Sequence, residues 1–460
     1  MLRTVNPQVT LWESILPEEC LVLPGDLAAV DRLLDDDRFF EPFRAHFDAT
    51  LGRPSVPIET YLRMMFLKHR YRLGYEPLCA EVSDSIAWRR FCRVPLGERA
   101  PHPTTLMKIT KRCGPEVVDQ LNEILLVKAH EADVVNLDRV RADTTVIEAN
   151  IRYPTDSSLL TRAVARLTRL TARIQATGAA ARTVVVDRSA DAQAHAHSIG
   201  AWLRRRSGEA KDEVMRITGE VADLAEATSG EAERVVINAR RWLATHPDTP
   251  KAGRLRRLID DLETLSATTN QVVNQTRTRI GGEMPAGATR LVSLHEPDAR
   301  PIRKGRIGRP VEFGYKAQIV DNCDGLVLDH TVEIGNPHDA EQLEPAVARI
   351  TARAGAAPTA VTADRGYGFA RVDNQLTDLG VTTVAIPRAG KPGTARAALQ
   401  TSEPFVTLVK WRTGSEGRIS SLKRDYGLRR THLTGHTGAR TWVGHGVLAH
   451  NLTKIARLTA

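Results

Sequence analysis

The chain has 460 residues, and its 42% hydrophobic and 26% charged residues are typical of a globular protein rather than a disordered or fibrous one. Lys and Arg (64) outnumber Asp and Glu (55), and the formal charge of +9 favours a polyanionic partner such as nucleic acid. The N-terminus lacks a basic stretch followed by an apolar run, and no apolar run reaches the roughly 18 residues of a membrane span, so we expect neither secretion nor membrane insertion.

The five cysteines are widely spaced and contain no Cys-x-x-Cys pair, so they indicate neither a zinc ribbon nor a disulfide framework. A reducing cytoplasm fits this pattern. No glycine-rich phosphate loop precedes a helix, so a nucleotide cofactor is not indicated. At roughly 150 residues per domain, the length predicts about three domains.

Residues 1–130 are predicted to form a helical DNA-binding domain. Tyr61, Met64 and Leu67 recur at helical spacing after Pro57. Short helices separated by Gly and Pro are predicted at residues 76–82, 83–92 and 104–113. Basic residues concentrate in three clusters, from which we predict DNA contacts for Lys68, Arg70, Arg89, Arg90, Lys108, Lys111 and Arg112. A single cluster is more typical of a solvated helix face, but three in one small domain favour DNA.

A β-branched, partly alternating pattern begins at Val134, so residues 131–156 are predicted to contain the first strand of an α/β core. Residues 157–300 have helical spacing again, as at Leu167, Leu170 and Ile174, and we interpret them as a helical insertion between the first and second core strands. A basic linker, Arg303–Pro310, then leads into the rest of the core, 301–460.

The second part of the core alternates strands and helices, which predicts a mixed sheet flanked by helices. The predicted strands are 313–320, 326–334, 360–363 and 381–386, and the predicted helices are 338–354, 373–379 and 412–426.

Three acidic residues have the placement that metal-dependent phosphoryl transfer requires, because hard divalent cations need converging carboxylates. Asp143 lies on or at the end of the first strand, Asp364 directly follows another strand, and Glu416 is expected on a facing helix. Each has a structural alternative: a strand cap for Asp143, an Asx-turn for Asp364 and a solvated helix position for Glu416.

Several motifs resemble the signatures of the IS5 and IS1182 families of DDE transposases. They are Asp143-Thr144-Thr145, Thr362–Tyr367, Arg412-xxx-Glu416-xxxxxx-Lys423, Gly314–Ala317, Gly335–Asp339 and the helical segment 57–70. The resemblance implies an RNase H-like catalytic core in which Asp143, Asp364 and Glu416 bind two Mg²⁺ ions, with Mn²⁺ as a substitute. It also implies that Arg412 and Lys423 contact DNA near the scissile phosphate, and we add Arg365, which follows Asp364.

The helical spacing of Arg412, Glu416 and Lys423 would place all three on one helix face, as a salt-bridge stripe also would. The family's tyrosine is replaced by Val409, with Trp411 nearby. Glu403 precedes a proline in a predicted loop and is therefore the weaker third acid. The histidines near the end, including His432 and His436, are assigned no metal-binding role.

The sequence thus predicts a transposase that cleaves DNA and transfers strands at transposon ends without ATP. Its partners would be the terminal inverted repeats, target DNA and further copies of the chain, in a homodimer or higher assembly associated with the nucleoid. Two alternatives stay open: a metal-dependent nuclease without strand transfer, and a domesticated, catalytically inactive DNA-binding protein. The retained acids argue against the second, because carboxylates without metals repel phosphate.

Overall fold

The computed structural model describes residues 1–4, 15–48, 50–205, 207–306, 308–388 and 390–459. The N-terminal segment on which the expectation about secretion rests includes residues 5–14, which lie outside this description. The described chain divides into two compact units, one formed by Met1–Asn150 with Gly314–Ala460 and the other by Ile151–Phe313.

The first unit contains a mixed sheet and the helices of both chain ends. Its strands are β1 Arg139–Glu148, most of β3 Arg309–Asn322, β4 Val327–Ile334, β5 Ala360–Ala363 and β6 Thr383–Ala385. Its helices before β1 are α1 Glu18–Leu21, α2 Gly25–Leu34, α3 Glu41–Arg44, α4 Ile58–Arg70, α5 Tyr75–Asp84, α6 Ile86–Phe91 and α7 Pro103–Glu131. The later ones are α12 Leu343–Ala354, α13 Ala370–Asp378, α14 Thr394–Thr401, α15 Glu403–Arg412, α16 Ser415–Asp425 and α17 Gly435–Leu458.

The strands of this unit are ordered β4-β3-β1-β5-β6. β3 is antiparallel to both β1 and β4, whereas β5 is parallel to β1 and to β6. Gly314 allows the closest approach in the sheet, because a Cβ there would overlap the carbonyl oxygen of Ile147 on β1. The mixed sheet that the sequence predicts is therefore present, with β1 at its centre.

The helices of residues 1–130 pack into the same unit as the sheet, so the boundary predicted at residue 130 does not separate two compact units. α17 contacts α4, α7 and β4, and about two thirds of its residues are buried. Helix α7 is longer than the predicted helix 104–113 and contains a kink where Gly114, with φ of 67°, precedes Pro115. The helix predicted at 104–113 therefore continues beyond the kink, as far as Glu131.

A buried aromatic and histidine cluster joins α4 to α17. The rings of His69 and His445 stack with centroids 5.6 Å apart, and the Nζ of Lys68 lies 4.1 Å from the centroid of the Trp442 ring and 4.8 Å from that of Tyr75. Burial lowers the pKa of Lys68 to about 8 and that of His445 to about 3. Burial also lowers the pKa of His450 to about 3, although its Nε2 donates to the carbonyl of Gly325 at 2.9 Å.

These buried histidines predict that the first unit loses stability in mild acid. The unfolded chain takes up protons near pH 6.5, whereas folded His445 and His450 do so only near pH 3, so stability is full above about 6.5 and falls as the pH drops towards 3. Each histidine should contribute a slope of about 1.4 kcal/mol per pH unit. Urea unfolding at pH 7.0 and 5.5 measures it: His450→Gln should reduce the slope, and the exposed His197→Gln should not. An unchanged slope in His450→Gln would contradict the assignment.

The second unit is built from four helices, α8 Asp156–Gln175, α9 Ser189–Trp202, α10 Gly208–Thr245 and α11 Ala252–Ile280, followed by β2 Arg300–Arg306. Their apolar faces form two cores, one around Leu167, Leu258 and Leu262 and one around Leu160, Val221 and Val272. Strand β2 pairs with β3, whose first residues belong to this unit. The predicted basic linker 303–310 is therefore the end of β2 and the start of β3, and Ile307 between them lies outside the described residues.

All five cysteines are free thiols, and Cys79, Cys92 and Cys113 are buried. Burial raises the pKa of Cys79 to about 11 and that of Cys113 to about 12, so both stay protonated at neutral pH. In the described part of the chain, no helix is long and apolar enough to cross a membrane.

Candidate active site

The structure places Asp143 and Asp364 on neighbouring parallel strands. Ala142 of β1 is the register partner of Ala363 of β5, and the two aspartates are the next residue on each chain. Both side chains are partly exposed. The Asp143 carboxylate accepts from the backbone N–H of Thr144 at 2.8 Å, and that of Asp364 accepts from Gly366 at 2.7 Å. Asp364 thus forms the Asx-turn that is its structural alternative in the sequence analysis. The turn fixes one carboxylate oxygen and leaves the other for a ligand.

Arg412 reaches the first of these carboxylates. Its Nη1 lies 3.7 Å from Oδ2 of Asp143, and the two side chains are 20% and 15% exposed. Glu416 lies in the first turn of α16 and is exposed. Within the described residues, no three His, Cys, Asp or Glu side chains are close enough to hold a metal ion, so Glu416 does not converge with the two aspartates in this conformation.

The predicted single helix 412–426 is wrong, because α15 ends at Arg412 and α16 begins at Ser415. The break follows from two local features. The N–H groups of Thr413 and Gly414 bond three residues back, to Lys410 and Trp411, which tightens the chain into a turn. Gly414 also leaves room for the guanidinium of Arg141, where a Cβ would overlap it. Arg412 therefore does not share a helix face with Glu416, whereas Glu416 and Lys423 do lie on one helix, seven residues apart.

A buried ion-pair network fixes this turn against the sheet. Arg141 donates from Nε and Nη2 to the two carboxylate oxygens of Asp321, both at 2.9 Å, and from Nη1 to the carbonyl of Trp411 at 2.8 Å. Arg418 adds a third contact to Asp321 at 3.2 Å. Arg141 and Asp143 are two residues apart on β1 and share a sheet face, so the network sets where Arg412 meets Asp143. The Trp411 ring faces Arg141, with 4.6 Å from the ring centroid to the guanidinium carbon.

A further carboxylate, Asp339, lies beside Asp364, and we assigned it no role from the sequence. Its Oδ1 is 2.5 Å from the Nζ of Lys316, whose ammonium also donates to the carbonyl of Pro337 at 2.6 Å. A Cβ placed on Gly366 would lie 2.9 Å from Oδ1 of Asp364 and 3.1 Å from Oδ2 of Asp339. Gly366 therefore lets the two carboxylates approach each other. Lys316 and Asp339 both belong to motifs that resemble the family signatures. Those motifs are the sequence signal from which a role for the two residues could have been predicted.

Tyr367 lies near the carboxylates of Asp143, Asp339 and Asp364. Its hydroxyl is buried and donates to Oε1 of Gln318 at 3.1 Å. Burial and the nearby carboxylates of Asp339, Asp364 and Asp143 raise its pKa well above 10. Tyr367 therefore stays protonated and serves as a neutral hydrogen-bond donor below the site.

Two of the three predicted metal ligands, Asp143 and Asp364, are placed in a way that is compatible with binding a hard divalent cation. Asp143, within β1, and Asp364, directly after the neighbouring β5, offer carboxylate oxygens, the ligand type that Mg²⁺ and Mn²⁺ prefer. The Arg412 guanidinium beside Asp143 shows that this carboxylate faces a position suited to positive charge. Glu416 would have to move inward from its exposed position on α16 to complete the set.

The predicted DNA contacts fall into two groups. Arg90, Lys108, Lys111, Arg112 and Arg365 are exposed, and Arg70, Arg412 and Lys423 are partly exposed. Lys68 and Arg89 are only 3% and 9% exposed, so their prediction as DNA contacts is wrong for this conformation. Lys68 is enclosed by Tyr75 and Trp442, and the Arg89 guanidinium donates to backbone carbonyls of the loop after α6. Charge clusters in the sequence do not distinguish such buried cations from surface ones.

The strand order, the strand directions and the placement of Asp143 and Asp364 one residue beyond the paired Ala142 and Ala363 define the class of protein: an RNase H-like catalytic core, with helices before it and a helical insertion between its first and second strands. Two family models match this chain. One is described as "Transposase domain (DUF772)" and covers residues 15–112, and the other is described as "Transposase DDE domain" and covers residues 290–452. The two matched segments indicate a family of DDE transposases of the IS5/IS1182 type.

The chain is also similar to an "Uncharacterized protein ORF8 in nfe locus" of Rhizobium meliloti, with 30% identity over 137 residues. The match covers 29% of this chain and 66% of that protein, so this chain spans just under two thirds of the relative. No solved structure matches.

Proposed function

We propose that this transposase cleaves DNA strands at transposon ends and joins them to target DNA by a DDE mechanism. The observation that carries the proposal is the register of β1 and β5, which sets Asp143 and Asp364 one residue beyond the paired Ala142 and Ala363. Glu416 is the third acid in this proposal, delivered by an inward movement of α16. Because two ends must be held together for joining, the active form would contain at least two copies of the chain.

In this proposal each residue of the site has its own role in catalysis. Asp143 and Asp364 would hold Mg²⁺ or Mn²⁺, with Glu416 completing the ligand set. Such ions, when bound, activate the attacking oxygen and stabilise the charge on the phosphoryl group. Arg412 would contact the phosphate beside Asp143, and Lys423 and Arg365 would hold the flanking backbone. Gly366 and Tyr367 keep Asp364 in place.

The proposal is tested with DNA from the borders of the gene. Purified protein, a duplex carrying the flanking inverted repeat, a target plasmid and Mg²⁺ or Mn²⁺ should give strand breaks at the repeat end and joined products. Breaks without joined products would instead support the metal-dependent nuclease. Binding without breaks, with either metal at millimolar concentration, would support the inactive DNA-binding protein.

Replacement of the proposed third acid should separate chemistry from folding. Glu416→Gln is expected to lower strand cleavage roughly a hundredfold or more, because it removes an anionic metal ligand. Its unfolding free energy should stay within about 0.5 kcal/mol of wild type, since the side chain is exposed. Glu403→Gln, an exposed glutamate on the preceding helix, is the matched control. Loss of cleavage in the control, with full activity in Glu416→Gln, would move the third acid to Glu403.

A further inference from the structure

A basic groove lies among the helices that precede β1, at a place that neither the acidic site nor the family descriptions assign. It has a volume of about 570 Å³. One wall is a face of α7, where Thr105, Lys108 and Arg112 recur at helical spacing. The other wall is the segment before α4, including Arg53.

The backbone fixes the arrangement of this second wall. The N–H of Ser55 donates to the carbonyl of Met1 at 3.0 Å, and that of Ile58 donates to the carbonyl of Arg3 at 3.2 Å. Arg3 and Arg53 are therefore held beside each other at the groove. The lining also includes Pro54, Pro57, Pro95 and Pro101, which stiffen it because proline fixes the backbone φ angle.

The charge of the groove is strongly one-sided. Six cations line it, namely Arg3, Arg53, Arg93, Arg99, Lys108 and Arg112, and among its described residues Glu98 is the one acid. Arg93 is paired with Asp35 at 2.9 Å. Within the described part of the chain, no carboxylate lies within 4.0 Å of the side-chain nitrogens of the other five. These five are exposed, so their charge is available to an anion in solution.

Arg89 explains why the loop with Arg99 keeps its place. This buried guanidinium donates to the carbonyls of Pro95 at 2.6 Å and Leu96 at 3.3 Å, and also to that of Glu98. A third side of the groove is therefore fixed to the helical core rather than free to fold away. A groove whose cations are already in place loses little conformational entropy when it binds a ligand.

We propose that this groove binds the phosphodiester backbone of duplex DNA and supplies the sequence-independent part of its affinity. The inference rests on the proposed function, which makes DNA the substrate, and it adds a second contact surface remote in sequence from the acidic site. Five cations without a carboxylate partner, on four segments of the chain, match the closely spaced charges of a DNA backbone. The lining side chains suit phosphate oxygens, and guanidinium groups predominate among them.

The test measures DNA binding without chemistry. Fluorescence anisotropy in EDTA, between 50 and 300 mM salt, compares a random duplex with one carrying the flanking repeat. The double variant Arg53→Gln/Arg99→Gln should weaken binding to both duplexes by the same factor, roughly tenfold or more. The slope of log affinity against log salt should fall by about 0.9 for each phosphate that the variant no longer neutralises.

The matched control is Arg32→Gln/Arg44→Gln, which removes two exposed cations on helices before β1 that do not line the groove. Its affinity and salt slope should equal those of wild type. The proposal is overturned if the groove variant keeps the wild-type salt slope, or if the groove binds AMP while duplex binding is unaffected by the variant. Because this experiment does not measure cleavage, a negative result would not contradict the proposed role of the acidic site. Conversely, a catalytically inactive acidic site would not change the salt slopes.

Discussion

Asp364→Asn should abolish strand cleavage while leaving DNA binding almost intact. The substitution keeps the shape of the side chain and its bond from Gly366, but it removes one negative charge from the proposed metal site. A ligand whose loss removes about 4 kcal/mol of transition-state stabilisation lowers the rate about a thousandfold. The cations proposed to contact DNA do not depend on this carboxylate, so affinity measured in EDTA should change less than about twofold.

Three paired measurements decide the role of Asp364: strand cleavage, DNA binding, and Mn²⁺ binding followed by electron paramagnetic resonance. Asp378→Asn, an exposed aspartate on α13, is the control and should behave as wild type in all three. Cleavage at a wild-type rate in Asp364→Asn would remove this residue from the site. An equal loss of binding and cleavage would identify it as structural, since the loss of a metal ligand alone should leave DNA binding in EDTA intact.

The strands that carry or precede the two aspartates can be recognised locally in the sequence. β-Branched residues surround Asp143 within β1, and the residues before Asp364 are β-branched or small, apolar and buried in the structure. Their adjacency in one sheet is a tertiary property, which the family resemblance supplied rather than the pattern. Site residues predicted in this way stay predictions until variants are measured.

The turn at Thr413 and Gly414 was not predictable in the same way. The segment 412–426 has helical spacing throughout, and a glycine within a helical pattern is often tolerated. The helix ends because Arg141, far away in sequence, donates to the carbonyl of Trp411 and approaches Gly414 closely. An interaction across some 270 residues leaves no periodic signal. The burial of Lys68 and Arg89 is not predictable from the local sequence either, because the residues that cover them come from other elements.

Asp321→Ala should be the most destabilising of the substitutions considered for the first unit. The Asp321 side chain is 3% exposed and is the common partner of Arg141 and Arg418, so its removal leaves buried guanidinium charge without compensation. Removing one partner of a buried ion pair costs about 3 to 5 kcal/mol. Cleavage should fall as well, because Arg141 also fixes the turn that presents Arg412 to Asp143.

Urea unfolding of Asp321→Ala, of a control variant and of a double variant measures this loss and assigns its cause. Glu131→Ala is the control, because it breaks the exposed pair with Arg38 at 2.9 Å and should cost at most about 1 kcal/mol. In a double-mutant cycle, Arg141→Met combined with Asp321→Leu should recover much of the stability lost in Asp321→Ala, since matched apolar side chains leave less buried charge unpaired. If Asp321→Ala costs no more than the control, the network does not hold the turn. If instead the double variant recovers stability but not cleavage, the network holds the fold while its arginine is still required to position the site.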